Sequence, residues 1–275
     1  MNMSYVQILI FGFFFPNAPI CSILCEWENI RRSLVSWSDE TIRCTKDSVD
    51  MVDIQALIFD LDGVITDTAE YHFQAWKKMA DEEGYPFSRE DNEALRGVSR
   101  RESLNRLLKG RLIPEEKALE LMDRKQRYYV ELLESITPND LLPGVINFLD
   151  EAKAAGLKVG LGSASRNART VLTKLGVLER FDALGDGYSV VNTKPAPDLF
   201  LWTAGRLNVY PPNTIVFEDA EAGIEAALRG GFWTVGIAGH TAGGQERVKA
   251  AHITLPDLDG ARVRDVLERI NAAAV

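Results

Sequence analysis

Residues 55–67 read QALIFDLDGVITD, and this stretch decides the fold. The apolar run from Gln55 closes in the acidic turn DLDG, as expected for a buried parallel strand that delivers a loop at its carboxyl end. Asp60 and Asp62 are one residue apart on a tight loop that Gly63 permits, so their carboxyl groups can face the same space. The stretch therefore predicts an α/β protein with a functional loop after its first strand.

Short apolar runs followed by polar loops recur along the chain. Further strands are predicted at 157–162, 214–217, 232–237 and 252–255. Helical segments lie between them, including LPGVINFLDEAKAAG and AGIEAALRGG, and each ends at glycine. This alternation predicts a Rossmann-like parallel sheet with helices on both faces. In such a sheet the ligand lies beyond the carboxyl ends of the strands.

The alternation stops between residues 68 and 138, where one helical segment follows another. This region contains AEYHFQAWKKMADEEG, SREDNEALRG, RRESLNRLLKG and PEEKALELMDRKQRYYVELLES. We predict an inserted all-helical cap domain over 68–138. The core domain is then formed by 51–67 and 139–275.

The first fifty residues differ from the rest of the chain. Residues 1–25 contain no charged side chain, which suggests a signal peptide or a membrane anchor. No basic residue precedes the apolar stretch, and Pro16 and Pro19 interrupt it well short of the roughly 20 residues that a spanning helix needs. We predict that residues 1–50 are an extension outside the fold, the product of a mis-assigned start, with Met51 the natural first residue.

Composition and charge exclude several classes of function. The chain has 275 residues, of which 46% are apolar and 26% charged, as in ordinary globular proteins. Its formal net charge of −9 argues against binding to nucleic acid or to anionic lipid. Cys21, Cys25 and Cys44 are its three cysteines, so the remaining chain can form no internal disulfide. We predict a cytoplasmic monomer with no nucleic-acid or membrane partner.

The loops after the predicted strands carry residues suited to phosphoryl transfer. Asp60 can act as a nucleophile, and Asp62 can protonate a leaving oxygen or accept a proton from an attacking hydroxyl. Glu218 and Asp219 offer the hard oxygen ligands that suit Mg²⁺. A cation shared by these carboxylates would offset their charge and polarise a phosphoryl group.

Lys194 and Ser163 add a cation and a hydroxyl donor for phosphoryl oxygens. Each residue alone has a structural alternative: Asp62 could cap a turn, Ser163 could cap a helix, and Lys194 could be a solvated surface charge. The pair Glu218–Asp219 could likewise only cap the helix that follows. Their joint occurrence at successive strand ends favours the functional interpretation.

These motifs resemble those of the haloacid dehalogenase superfamily of phosphotransferases. The four signature loops are matched by DLDGVITD (60–67), GSAS (162–165), Lys194 in KPAPDLF, and FEDAEAG (217–223). The resemblance extends from Met51 to about Ala272. It implies that Asp60 is the phosphorylated nucleophile and Asp62 the general acid/base.

The resemblance also implies a cofactor and its ligands. Mg²⁺ would bind Asp60, the backbone carbonyl of Asp62, Glu218 and Asp219. The transferring phosphoryl group would be held by Ser163 and Lys194.

The helical region resembles that of the sugar-phosphate mutases of the superfamily, in DTAEYHFQAWK and GVSRRESL. The resemblance assigns Thr68 and His72 to coupling cap closure to Asp62, through a pairing of the histidine with that aspartate. It assigns Arg100 to the phosphate that is not transferred, which suits the planar fork of a guanidinium. The full set of expected substrate contacts is Trp76, Gly97, Ser99, Arg100, Ala164, Ser165, Arg166 and Asn167.

The activity implied by this resemblance is the interconversion of β-D-glucose 1-phosphate and D-glucose 6-phosphate, through an aspartyl phosphate and β-glucose 1,6-bisphosphate. A Mg²⁺-dependent sugar-phosphate phosphatase is the alternative, because it would share every core residue. A non-catalytic sugar-phosphate-binding module is less favoured, since all the core residues are present. In the structural alternatives, His72 is an ordinary helix histidine and Arg100 is a surface charge. His240 and His252 match no motif and are predicted to be structural or exposed.

Overall fold

A computed structural model describes residues 52–240 and 243–274. The predicted extension at 1–50 and the predicted first residue Met51 lie outside these residues. The described chain contains one six-stranded sheet, with all neighbouring strands parallel and in the order β3-β2-β1-β4-β5-β6. Its strands are β1 Ala56–Phe59, β2 Lys158–Gly162, β3 Ala183–Gly185, β4 Thr214–Glu218, β5 Trp233–Ile237 and β6 Ile253–Leu255.

Helices connect the strands and form a separate helical region after β1. The helices of the described chain are α1 Ala69–Glu82, α2 Arg89–Glu93, α3 Arg100–Leu108, α4 Glu115–Leu133, α5 Val145–Ala154, α6 Ala168–Lys174, α7 Asp198–Leu207, α8 Glu221–Arg229, α9 Gly244–Arg247 and α10 Val263–Ala273. Three short 3₁₀ turns lie at Pro138–Asp140, Leu178–Arg180 and Pro211–Asn213. No helix of this described part has both the length and the apolarity needed to cross a membrane.

Burial on both faces explains why the central strands are continuously apolar. Every residue of β1 and β4 is buried. On one face Phe59 stacks on Phe217, with ring centroids 4.6 Å apart, and Phe148 of α5 meets both rings edge-on. On the other face Phe200 of α7 and Phe232 pack against the sheet in a second apolar cluster. The sheet is thus held between two helical layers.

The helical region between β1 and β2 has an apolar core of its own. Helices α1 to α4 bury Trp76, Met79, Leu104, Leu107 and Leu121 against one another, apart from the clusters that flank the sheet. The fold class predicted from the sequence is therefore confirmed, namely a parallel α/β core with an inserted set of helices. The domain boundaries at 68 and 138 stay predictions.

The structure differs from the sequence prediction in three places. Strand β3 was not predicted, because it has only three residues and pairs only with β2. Helix α2 covers five residues of the segment SREDNEALRG, and the chain turns before Gly97. The predicted strands differ from the observed strands by a single residue at one or both ends, where the backbone pairing stops.

Candidate functional site

The predicted catalytic loops meet at one edge of the sheet. Strand β1 lies between β2 and β4, so the chain connections leave β1 and β4 in opposite directions and open a crevice at their carboxyl ends. Asp60 follows β1, Ser163 follows β2, and Glu218 ends β4. Lys194 reaches the same place from the loop after β3. Four loops that are far apart in sequence therefore surround one point.

Lys194 is the centre of a buried ion cluster. Its Nζ lies 2.5 Å from Asp60 Oδ1 and 2.5 Å from Glu218 Oε1, and its side chain has no exposed surface. The alternative that Lys194 is a solvated surface charge is therefore wrong. Although burial opposes the charged form, the charges of Asp60 and Glu218 raise the pKa of Lys194 above its usual value. The ammonium stays protonated and lies beside the predicted nucleophile.

Three buried carboxylates form a candidate metal site. Asp60, Glu218 and Asp219 each offer an oxygen, and these atoms lie within 4.8 Å of one another. Burial and the charge of Asp60 raise the pKa of Glu218 to about 7, although the charge of Lys194 opposes this shift. Burial and the charge of Glu218 raise the pKa of Asp219 well above its usual value. Hard oxygen donors with an excess of negative charge fit a divalent cation.

Gly63 allows the loop after β1 to approach this cluster closely. Its φ is +79°, which favours glycine, and a Cβ atom built there would collide with the carboxylate of Asp219. The same carboxylate is held by Arg96 of the helical region, whose Nη1 lies 3.0 Å from Asp219 Oδ2. One candidate metal ligand is therefore fixed by the β1 loop and by the helical region together.

Asp62 is linked to the helical region by hydroxyl groups. Thr68 Oγ1 donates to Asp62 Oδ1, and Tyr129 of α4 donates to Thr68 Oγ1 at 3.2 Å. The backbone N–H of Asp62 donates to Asp60 Oδ2 at 2.9 Å, so the two aspartates form one turn. Burial, and then the charge of Asp60, raise the pKa of Asp62 to about 6. A carboxyl group that titrates near neutrality suits an acid/base role.

His72 does not make the pairing that the sequence predicted. Its Nδ1 lies 2.9 Å from Nζ of Lys125, whereas Thr68 takes the expected place beside Asp62. The ring of His72 also lies on Tyr129, with centroids 4.1 Å apart. The side chain of His72 therefore contacts Lys125 and Tyr129, and Tyr129 in turn contacts Asp62 through Thr68.

Lys125 is a site residue that sequence reasoning missed. It is 2% exposed and lines the cavity. Burial, and then the charge of Arg100, lower the pKa of Lys125 well below its usual value. Burial, and then the charge of Lys125, lower the pKa of His72 in the same way. A signal was present in the sequence: Lys125 falls on the apolar stripe of α4, between Met122 and Tyr129. A lysine at such a position indicates a buried amine.

A single cavity of about 590 Å³ collects most of the predicted residues. The predicted residues that line it are Asp60, Asp62, His72, Trp76, Gly97, Ser99, Arg100, Ser163, Ala164, Ser165, Arg166, Asn167 and Asp219. Thr68, Lys194 and Glu218 lie buried behind this wall. Sequence reasoning also missed Arg96, Gln126 and Tyr188, which line the cavity and carry no motif of their own.

Some of these residues also make local hydrogen bonds to the backbone. Ser99 caps α3 by accepting from Glu102 N–H at 3.2 Å. Ser163 Oγ accepts from the backbone of Ser165, and Glu218 Oε2 accepts from Ala220 N–H at the start of α8. A side chain that accepts a backbone hydrogen bond can also contact a ligand or a metal, because a carboxylate or hydroxyl oxygen has more than one lone pair.

The two remaining histidines lie away from the cavity. His240 is exposed and bonds Asp257 at 2.6 Å. His252 is also exposed, and its Nδ1 accepts from the backbone N–H of Thr234 at 3.1 Å. Their predicted structural or exposed character agrees with these positions.

The fold and the site together define an enzyme with a buried acidic centre. Residues 54–231 match the family described as haloacid dehalogenase-like hydrolase. The chain belongs to this family. It is 46% identical to a β-phosphoglucomutase of Bacillus subtilis over 67% of this chain and 83% of that protein.

Two further relatives show the range of the family. The chain is 33% identical to a protein of Thermotoga maritima named phosphorylated carbohydrates phosphatase, over 65% of this chain and 82% of that protein. The crystal structure of a β-phosphoglucomutase from Clostridium difficile matches with a TM-score of 0.76 and 40% identity, over 80% of this chain and 99% of that one.

Replacement of Gly63 tests the metal site. In Gly63→Ala the new methyl group must displace the Asp219 carboxylate, so we expect metal affinity to fall by about 10-fold or more, as for changes next to metal ligands. Gly84→Ala is the matched control, because Gly84 has a similar φ of +71° and open space around it. Calorimetric titration of both variants with MgCl₂ measures the effect. Equal affinities would contradict the close approach.

Replacement of Lys125 tests the effect of burial on the pKa of its amine. Because burial lowers its folded-state pKa, wild-type Lys125 destabilises the fold most at low pH, and the penalty vanishes as pH rises to 10.5, the unfolded value. The unfolding free energy of Lys125→Met, relative to wild type, should therefore fall between pH 7 and pH 10.5. Urea unfolding measures it, with the exposed Lys78→Met as control. A difference independent of pH would contradict the assignment.

Proposed function

We propose that the enzyme interconverts β-D-glucose 1-phosphate and D-glucose 6-phosphate, the reaction of a β-phosphoglucomutase. The observation that carries the proposal is the set of residues that line the cavity. Asp60 and Asp62 line it together with Arg100 and Arg166, two cations without a carboxylate partner in the described residues. A substrate with two phosphates needs a group-transfer centre and a separate anion site, and this cavity offers both.

The proposed transfer uses the two neighbouring aspartates. Phosphorylated Asp60 gives its phosphoryl group to a sugar hydroxyl: the new oxygen–phosphorus bond forms, the bond to Asp60 breaks, and Asp62 accepts the hydroxyl proton. The product is the sugar 1,6-bisphosphate. After this intermediate has turned round, Asp60 accepts the other phosphoryl group while Asp62 returns the proton to the departing sugar oxygen. The enzyme is phosphorylated again, and glucose 6-phosphate is released.

The proposed metal is Mg²⁺. Asp60, Glu218 and Asp219 and the backbone carbonyl of Asp62 would hold it, and the buried cluster of carboxylates supports this set. When bound, it would offset the charge on the phosphoryl oxygens. Lys194 is already held against Asp60 and Glu218, and Ser163 lies at the neighbouring strand end, so both could contact the same phosphoryl group.

Closure of the helical region supports transfer to a sugar rather than to water. Thr68 and Tyr129 connect α4 to Asp62, and His72 and Lys125 extend this connection within the same helices. We infer that Asp62 is oriented for proton transfer when these helices lie over the strand ends. A bound sugar phosphate that holds the helices there would select its own hydroxyl over water.

A sugar-phosphate phosphatase is the second candidate function. The T. maritima relative carries such a name and is 33% identical to this chain. Both functions would use the same aspartates and the same lysine. The distinction rests on whether the enzyme requires the anion site of Arg100 and the connection through His72.

The two functions predict different products and different mutant effects. With Mg²⁺ and a trace of β-glucose 1,6-bisphosphate, β-glucose 1-phosphate should become glucose 6-phosphate, measured by a coupled dehydrogenase assay. Arg100→Ala and His72→Ala should each lower kcat/KM by about 100-fold, since each removes a charge-assisted or buried hydrogen bond used in binding or closure. The exposed Arg89→Ala, on the same helical region, should have the wild-type value.

The release of inorganic phosphate is measured in the same samples. Phosphate release as fast as sugar isomerisation would contradict the mutase and support the phosphatase. The same conclusion would follow if Arg100→Ala and His72→Ala kept their full rate with sugar monophosphates.

A further inference from the structure

Two of the four arginines that line the cavity, Arg100 and Arg166, are held by neutral groups. Arg100 Nη2 donates to an amide oxygen of Gln126, and the guanidinium of Arg166 lies 4.9 Å from the ring centre of Tyr188. Within the described residues neither arginine forms an ion pair with a carboxylate. Arg96 and Lys194, in contrast, are ion-paired with carboxylates of the acidic centre. The positive charge of the two arginines is therefore available to a ligand.

Gln126 connects the helical region to the core at this place. It lies on α4, and its Oε1 accepts from Arg100 Nη2 at 2.5 Å while its Nε2 donates to Asn167 Oδ1 at 2.7 Å. Asn167 belongs to the loop between β2 and α6. Because a guanidinium can only donate, the amide oxygen must face Arg100 and the amide nitrogen must face Asn167. Both ends of the amide are therefore in use.

We propose that Gln126 is a positioning residue, which aims Arg100 into the cavity without neutralising it and connects that arginine to Asn167 of the core. The phosphate that is not transferred would then meet a cationic site that is already ordered. This inference rests on the proposed function for the identity of the ligand, a sugar bisphosphate. A carboxylate at the same position would bind Arg100 more strongly but would compete with the phosphate.

One variant tests whether Gln126 must be neutral, and a second tests whether it must form its hydrogen bonds. Gln126→Glu keeps the shape of the side chain and places a negative charge beside Arg100. Gln126→Met keeps the length and removes both hydrogen bonds. Gln74→Glu introduces the same charge on an exposed face of α1 and serves as the matched control.

Binding is measured in an Asp60→Asn background, in which the phosphoryl group cannot be transferred. The probe is glucose 1,6-bisphosphate, titrated by calorimetry. We expect Gln126→Glu to weaken binding by about 10-fold or more and Gln126→Met by about 3-fold to 10-fold, the latter being the range for the net contribution of an ordinary hydrogen bond. Gln74→Glu should bind as its parent does. Unchanged affinity in both Gln126 variants would overturn the proposal.

A second measurement distinguishes positioning from a general structural role. With Asp60 intact, acetyl phosphate can phosphorylate this aspartate without a second phosphate, so the step does not use Arg100. The rate of this phosphorylation should change much less in the Gln126 variants than their affinity for the bisphosphate. Parallel losses in both measurements would overturn the proposal, because they would indicate damage to the whole site.

Failure of the inference on Gln126 can be distinguished from failure of the proposed function. If the wild-type enzyme releases inorganic phosphate and forms no glucose 6-phosphate, the proposed function fails. The difference in bisphosphate affinity between Gln126→Glu and Gln74→Glu still decides whether Gln126 positions Arg100.

Discussion

The site depends on one buried ammonium group, that of Lys194. It lies 2.5 Å from a carboxylate oxygen of Asp60 and 2.5 Å from one of Glu218, and so joins the ends of β1 and β4 to the loop after β3. Without this cation, the crowded carboxylates would repel one another and take up protons. Burial of ion pairs costs several kcal/mol per ion, so such a cluster is poorly explained as a source of stability. The cluster is better explained by the proposed function, in which Lys194 lies between the proposed nucleophile Asp60 and the candidate metal ligand Glu218.

The inserted helices are connected to the core by hydrogen bonds that end on proposed site residues. Tyr129 donates to Thr68, which donates to Asp62. Arg96 donates to Asp219, and Gln126 donates to Asn167. Movement of the helices away from the core would therefore alter the proposed acid/base group, a candidate metal ligand and the proposed anion site together. Under the proposed function, closure and chemistry would depend on the same contacts.

Much of this could be predicted from sequence, for physical reasons. Strands β1, β2 and β4 are continuous apolar runs, because both of their faces are buried, and their polar loops carry the catalytic residue types. Strand β3 was missed, because three residues leave no pattern. The partners of His72 and Arg100 were also missed, since a contact between α1 or α3 and α4 has no trace in local periodicity. Lys125 on an apolar stripe is the exception that could have been found.

The central claim is that Asp60 passes a phosphoryl group to a sugar. A single-turnover experiment tests it most directly. Enzyme labelled on Asp60 with ³²P from acetyl phosphate is separated from the donor and mixed with unlabelled β-glucose 1-phosphate, and the products are resolved after rapid quenching. We expect the label to appear first in glucose 1,6-bisphosphate and glucose 6-phosphate. Label found in inorganic phosphate alone, or on a residue other than Asp60, would contradict it.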